Sequence, residues 1–227
     1  LIELLVVISI IALLIAILLP ALGAARNSAR KLKSATQLRG LHQAIVIHSN
    51  DNKEFYTGLN AKGADLDSAD CGNSGEGVTV EARYWVLLDG DYLTKDILIS
   101  PGEVNPRETW INGDPITLRH YSYAMLLLNN SSGFPGGTGI NIGPGSTTVE
   151  WKATGNAQAA IVADRNTSNI SGNVNVYSVW TQEYSSDWEG NVLWNDTHVT
   201  FENTFILDKS QSGSDACAGA IQVFALS

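Results

Sequence analysis

Residues 4–22 read LLVVISIIALLIAILLPAL. It contains no charged residue, and only Ser9 and Pro20 interrupt its apolar character. As an α-helix it spans roughly 30 Å, the thickness of the hydrocarbon core of one bilayer. A soluble domain rarely needs a helix that is apolar on every face, and a signal peptide has a shorter apolar run after a basic start. The stretch therefore predicts a retained helix long enough to cross a membrane.

The helical pattern continues beyond this stretch, but on one face only. Steps of three and four residues separate the apolar positions Leu32, Ala35, Leu38, Leu41 and Ile45. A turn-forming cluster at 49–52 predicts the end of the helix. We therefore expect one helix of roughly 75 Å over residues 1–50, with an apolar half at 1–23 and an amphipathic half at 24–50. Pro20 lacks an amide hydrogen, which predicts a kink or local melting near residues 16–20.

Residues 51–227 are predicted to form a globular, β-rich head domain. Strands are predicted at Val78–Tyr84, Ala159–Asp164, Val174–Trp180, Gly190–Trp194 and Val199–Phe205. Two segments, 84–93 and 120–128, fit either a short helix or a strand. The prediction is an α+β fold, in which a long N-terminal helix packs on a C-terminal domain with an antiparallel sheet.

Charge is unevenly divided between these two parts. Residues 1–50 hold five basic residues and one acid, a net +4, so the net −9 of the whole chain leaves −13 on residues 51–227. An acidic body disfavours contact with nucleic acid phosphates, and no nucleic acid partner is expected. The sequence shows no motif that pairs a nucleophile with a base, so no enzymatic activity is expected.

Glu3 is the one acid beside the apolar run. A charge at the centre of a bilayer costs about 2.5–3.5 kcal/mol on insertion scales, and less near the end of a span. Two explanations remain open on physical grounds. The carboxylate either reaches water at the head-group level or pairs with a cation of a neighbouring subunit.

The start of the chain, Leu1-Ile2-Glu3-Leu4-Leu5-Val6-Val7-Ile8, resembles the start of mature type IV pilins and of type II secretion pseudopilins. In that family an N-methylated aromatic residue opens the mature chain ahead of Leu-Ile-Glu, so the resemblance implies two residues before Leu1. Glu3 matches the family's conserved glutamate, and Pro20 matches its helix-breaking proline. The resemblance implies that Glu3 neutralises the N-terminal amine of an adjacent subunit during assembly.

A second resemblance lies in residues 190–199, GNVLWNDTHV, which are similar to the closing hairpin of a planctomycete-type pilin-like branch. The signature of that branch is a histidine, nine residues, then Asp-Gly. Here Ser186 stands in place of the histidine and Thr197 in place of the glycine. Because glycine tolerates positive φ and threonine does not, we expect a turn of different shape.

Together these resemblances imply a structural subunit of an extracellular type IV pilus-like filament, built from identical subunits through the N-terminal helix. The subunit would wait in the inner membrane until a prepilin peptidase removes a basic leader and the pilus assembly machinery recruits it. Two alternatives stay open. One is a periplasmic pseudopilin of a type II secretion system. The other is a membrane-anchored glycan-binding protein that presents an aromatic strip, Trp180, Tyr184, Trp188 and Trp194. These residues equally fit a core or a subunit contact.

The two cysteines, Cys71 and Cys217, have two possible states. In the cytoplasm they would be free thiols, whereas a disulfide between them is expected if the body lies outside it.

Candidate sites for metals and sugars complete the prediction. Major pseudopilins often hold calcium in a C-terminal loop, and three acids here, Asp187, Asp196 and Asp208, are oxygen ligands that calcium prefers, although their spacing matches no defined calcium loop. The four histidines are dispersed and give no transition-metal spacing. Candidate N-glycosylation triplets begin at Asn129, Asn130, Asn166, Asn169 and Asn195.

Overall fold

A computed structural model describes most of the first half of the chain and separate segments of the second. The described residues are 2–59, 66, 70, 79–103, 107–125, 151–155, 157–165, 178–181 and 188–203. The first element is a single helix, α1, over Ile2–Asp51. It ends inside the predicted turn cluster, which confirms the long N-terminal helix. A second helix, α2, covers Val80–Asp89, and a short 3₁₀ helix covers Lys95–Ile97.

Four short strands form one antiparallel sheet in the order β1-β2-β3-β4. They are β1 Tyr123–Met125, β2 Ala160–Asp164, β3 Gly190–Trp194 and β4 Val199–Glu202. The last three lie within predicted strands, and β1 settles the ambiguous segment 120–128. The sheet packs against α1 through β3 and β4. The α+β class, with a long helix on an antiparallel sheet, is therefore confirmed.

The strand predicted at Val78–Tyr84 is wrong, because residues from Val80 onward begin α2. The hydroxyl oxygen of Thr79 accepts a hydrogen bond from the amide of Ala82 at 3.2 Å, which is an N-cap contact. At the other end, the amide of Gly90 donates to the carbonyl of Val86. These two caps outweigh an apolar alternation of only a few residues. The predicted strand Val174–Trp180 lies mostly outside the described residues.

The body covers α1 only from residue 34 onward. The buried residues of the helix are Ser34, Ala35, Leu38, Leu41, His42, Ala44, Ile45, His48 and Ser49. Leu32 was predicted on this face, but it is 66% exposed. Three residues along a helix turn it by about 300°, which is 60° short of a full turn. Ala35 already lies at the edge of the buried face, so Leu32, three residues earlier, points away from that face. Of the amphipathic half, residues 24–50, only the portion from residue 34 onward is therefore buried in the body.

Strands β1, β2 and β3 are buried on both faces of the sheet, whereas β4 is half-buried. Leu193 of β3 joins the larger core, where it meets Leu38, Leu41 and Ile45 of α1. The neighbouring side chains of the same strand, Val192 and Trp194, belong to a smaller core on the opposite side. This alternation follows from the two-residue period of a strand. It explains why β3 ends in three consecutive apolar residues, Val192, Leu193 and Trp194.

A buried carboxylate links the sheet to α1. Asp164, at the end of β2, is fully buried. One of its oxygens accepts hydrogen bonds from the indole of Trp180 at 2.7 Å and from both nitrogens of Asn191, while the other accepts from the hydroxyl of Ser34 at 3.3 Å. The hydroxyl of Tyr123 also contacts Ser34, at 3.2 Å, and donates to Gln37. Since Ser34 opens the buried face of α1, this network fixes where the helix enters the body.

A second polar cluster binds Arg165, the residue after Asp164, within the body. One oxygen of Glu103 accepts hydrogen bonds from Arg165 at 2.7 Å, from Arg107 at 3.2 Å and from Ser122 at 3.0 Å. The side chains of Glu103 and Arg165 are almost fully buried. Removing one partner of such a pair leaves an uncompensated charge, so the cluster strongly favours a single arrangement of these segments.

We predict that Asp164 lowers the stability of the body at neutral pH. Burial raises the pKa of Asp164 from 3.8 to about 6, although its hydrogen bonds oppose the shift. The folded state therefore binds the proton more tightly than the unfolded state. Protonation of Asp164 therefore stabilises the folded body. This stabilisation is complete below about pH 4 and is lost as the pH rises through about 6. The loss is about 3 kcal/mol, because one pKa unit corresponds to about 1.4 kcal/mol.

Urea unfolding of the full chain in detergent, measured between pH 4 and 7.5, tests this prediction. The Asp164→Asn variant keeps the acceptor oxygen and should lose this downward slope. Asp96→Asn, at an exposed carboxyl, is the control and should follow the parent. Parallel profiles for the parent and Asp164→Asn would contradict the prediction.

Candidate assembly surface

The apolar half of α1 is left uncovered by the residues that the structure describes. An 18-residue window of this helix has a mean hydropathy of 3.2, and none of it is buried, so by length and composition it could span a membrane. Between Ile2 and Leu22, fifteen large apolar side chains are exposed. Burying each would contribute about 1.5–3 kcal/mol, so together they favour burial by tens of kcal/mol. Lipid or protein must therefore cover this surface in the functional state.

Two polar residues of the apolar half, Ser9 and Glu3, differ in whether they require a partner from another molecule. The hydroxyl of Ser9 donates to the carbonyl of Val6 at 2.7 Å, so it requires no outside partner. Glu3 lies in the first helical turn, where a negative charge is favourable to the helix dipole. Within the described part of the chain, no cation forms an ion pair with it. Glu3 is thus a charge on an apolar surface that a neighbouring molecule would have to accommodate.

Pro20 lies inside an unbroken helix. The melting predicted for residues 16–20 is therefore absent from this single chain. A proline leaves the carbonyl four residues earlier, here that of Ala16, without its helical partner. Pro20 consequently marks the position where the apolar half bends or unwinds at least cost.

A chain of hydrogen bonds holds the closing hairpin against α1. The imidazole of His42 contacts the hydroxyl of Tyr56 at 3.3 Å, and this hydroxyl donates to the side-chain oxygen of Asn195 at 2.5 Å. The amide nitrogen of Asn195 donates to the carbonyl of Lys152 at 3.2 Å. Asn195 is buried, and the nitrogen that would carry a glycan is engaged. The prediction of a surface glycosylation site at Asn195 is therefore wrong.

The turn of this hairpin keeps the left-handed backbone that a glycine would favour. Thr197 has a φ of 72°, and its amide donates to the carbonyl of Trp194 at 3.0 Å. The expectation that threonine would change the turn is wrong. Asp196 binds both the amide and the imidazole of His198, and this imidazole stacks on Trp194 with ring centroids 5.5 Å apart. These contacts hold Thr197 in its strained conformation.

The predicted calcium ligands are not seen together. Asp196 is occupied by His198, while Asp187 and Asp208 lie outside the described residues. Across the described segments, no group of three or more His, Cys, Asp or Glu side chains is arranged to hold a metal. Also outside these segments are Cys71, Cys217, Tyr184, Asn129, Asn130, Asn166 and Asn169.

The aromatic strip is mostly buried. Trp188 and Trp194 belong to the smaller core, and each is at most 4% exposed. Trp180 is partly buried and donates its indole hydrogen to Asp164. A sugar stacks on the free face of an aromatic ring, which neither core tryptophan offers. These two residues therefore have the core role that the sequence left open.

Sequence reasoning missed the buried charged residues of the body, of which Asp164 contacts α1. Asp164 ends an apolar run, AAIVAD, and a carboxyl at the end of a buried strand was the available signal. Glu103 and Arg83 gave no such signal. Arg83 is fully buried, with its guanidinium 4.8 Å from the ring centroid of Trp151, and burial lowers its pKa to about 10.

Comparison of the chain with protein-family models, with curated proteins and with solved structures returned no match.

We predict that Thr197→Gly stabilises the body. A left-handed conformation costs a non-glycine residue about 1–2 kcal/mol, whereas the added flexibility of glycine costs about 0.5–1 kcal/mol. The free energy of unfolding should therefore rise by roughly 0.5–1 kcal/mol, as measured by urea unfolding. Thr197→Ala is the matched control, because it removes the hydroxyl but keeps Cβ, and it should give no gain. Destabilisation by Thr197→Gly would show that the turn is unstrained.

Proposed function

We propose that this protein is a structural subunit that polymerises, through the apolar half of α1, into a type IV pilus-like filament outside the cell. The observation that carries the proposal is that one helix, α1, has an exposed apolar half and a second half that is built into the body. Residues 2–22 are apolar and uncovered, whereas the buried residues of α1 from 34 to 49 are built into the body. The body thus cannot fold back over the apolar half without losing its own core.

Packing of neighbouring helices would cover the apolar half and leave the bodies on the outside. Each subunit would bury its apolar surface against identical surfaces, at about 25 cal/mol per Å² as an upper rate. The acidic bodies, whose residues 51–227 carry a net charge of −13, would form the solvated outer layer. Pro20 would let the helix adapt when it moves from lipid into the bundle.

Glu3 favours assembly over simple anchoring. A helix that only anchors a protein gains no more from a carboxylate beside its apolar span than the small favourable interaction with the helix dipole, and the charge opposes insertion. In a bundle of helices, a cation of a neighbouring subunit would compensate the charge and set the axial register. By the resemblance to type IV pilins, the proposed cation is the neighbour's N-terminal amine.

The proposed orientation places the body outside the cytoplasm. Arg26, Arg30, Lys31 and Lys33 follow the apolar half closely, and basic residues normally favour the cytoplasmic side of a span. The proposal therefore includes a more basic leader at the other end of the span, which a prepilin peptidase removes before assembly.

A pseudopilin of a type II secretion system remains the second candidate. It shares the uncovered apolar half and Glu3, and differs in forming short periplasmic fibres. The third candidate, an anchored glycan-binding protein, has less support because Trp188 and Trp194 are buried.

We predict that Glu3→Ala blocks or slows filament assembly while the body still folds. Breaking a buried ion pair costs about 3–5 kcal/mol, which corresponds to a loss of at least about a hundredfold in subunit affinity. Filaments sheared from cells that express each variant, pelleted and quantified by immunoblot, measure the effect. Glu108→Ala is the matched control, since Glu108 is an exposed acid of the body and its ion pair with Arg119 is at the surface.

A normal yield of filaments from Glu3→Ala would contradict this role. Absence of filaments from the parent, with the protein retained in membranes, would favour the anchored candidate. Short fibres confined to the periplasm would favour the pseudopilin.

A further inference from the structure

Three cations form an exposed collar directly beyond the apolar half of α1. They are Arg26, Arg30 and Lys33, and all three are exposed. They are spaced four and three residues apart, which places them on one face of the helix. Among the residues that the structure describes, none forms an ion pair with the collar. The chain contains no acid between residues 4 and 50, so the helix itself does not neutralise these charges.

Lys31 differs from its neighbours and marks the side of α1 that faces the body. Its ammonium nitrogen lies 3.6 Å from a carboxylate oxygen of Glu189 and 3.6 Å from the ring centroid of Phe201. The body thus binds one cation of this segment and leaves the collar free. The collar is therefore a separate surface, available to a partner with negative charge.

The height of the collar matches the head-group layer of a bilayer. If residues 2–22 fill the hydrocarbon core, Arg26 lies about 6 Å beyond Leu22 and Lys33 about 16 Å beyond it. The head-group layer extends roughly 5–8 Å from the core on each side. Side chains of a helix lean toward its N-terminus, here toward the membrane, so the long side chain of Arg30 reaches back to this layer. Lys33 lies above the layer but within the range of its negative surface potential.

We propose that the collar binds the phosphate groups of anionic phospholipids while the subunit resides in the membrane. Arginine offers paired N–H donors that fit two phosphate oxygens, and lysine adds a point charge. The position next to the span favours lipid over the acidic body of a second copy, because lipid phosphates lie at this height around every inserted chain. The inference rests on insertion of the apolar half and is independent of filament formation.

The test measures lipid selectivity of the full chain in bilayers of phosphatidylglycerol and phosphatidylcholine, with spin-labelled versions of each lipid reporting association. At low salt the chain should prefer phosphatidylglycerol by about fivefold or more, since each cation near an anionic surface contributes roughly fivefold. Added sodium chloride at about 0.5 M should weaken the preference, because it shortens the screening length. The triple variant Arg26→Gln, Arg30→Gln, Lys33→Gln should show no preference.

The matched control removes three exposed cations that lie farther from the span, as Arg39→Gln, Lys53→Gln, Lys95→Gln. It has the same net charge and should keep the parent's preference within twofold. Equal association of the parent with both lipids, or equal losses in the two triple variants, would overturn the proposal. So would a collar variant that keeps its lipid preference but loses filaments, since the collar would then bind a second copy. Filament yield is scored separately, so failure of the filament proposal leaves the lipid result readable.

Discussion

The structure depends on one constraint: a fully apolar helical segment is continuous with a segment that an acidic body needs for its own core. Residues 2–22 are apolar and favour removal from water, whereas the acidic body favours contact with water. The two requirements meet on one helix, because Leu38, Leu41 and Ile45 belong to the core of the body while the apolar half is exposed. The uncovered surface therefore has to be satisfied from outside the chain, by lipid, by other copies, or by each in turn.

Buried polar contacts hold α1 at one position against the sheet. Asp164 and Tyr123 reach Ser34 from the sheet, while His42 joins Tyr56 and Asn195 deeper in the body. These buried polar contacts specify one register of α1 against the sheet, since any slip leaves a carboxyl or an amide without partners. A body held in one register transmits the axial position of each helix to the outside of a filament. The proposed pairing of Glu3 would then order the bodies as well as the helices.

Local patterns were sufficient for elements whose signals lie within one segment. The apolar run and the turn cluster predicted α1, and short apolar runs predicted β2, β3 and β4. The same reasoning failed at α2, where the caps at Thr79 and Gly90 override the alternation of a few side chains. It also failed for Leu32, because repeated three-residue steps drift around the helix and carry this residue off the buried face.

The candidate sites depended on contacts between distant parts of the sequence, which no local pattern contains. Asn195 reads as a surface triplet, but it is buried by Tyr56, 139 residues earlier in the chain. Ser34 meets Asp164 across 130 residues. Thr197 keeps a glycine-like turn because His198 and Asp196 hold it, which its residue type alone would not predict. The surface proposed for assembly was predictable because it needs only a run of apolar residues with one acid.

Electron cryo-microscopy of material sheared from the cell surface tests the central claim most directly. The account predicts long fibres in which residues 2–22 of many copies pack at the centre, the bodies lie outside, and Glu3 of one copy contacts a cation of the next. Surface material without fibres, together with protein that stays monomeric in the membrane fraction, would contradict it.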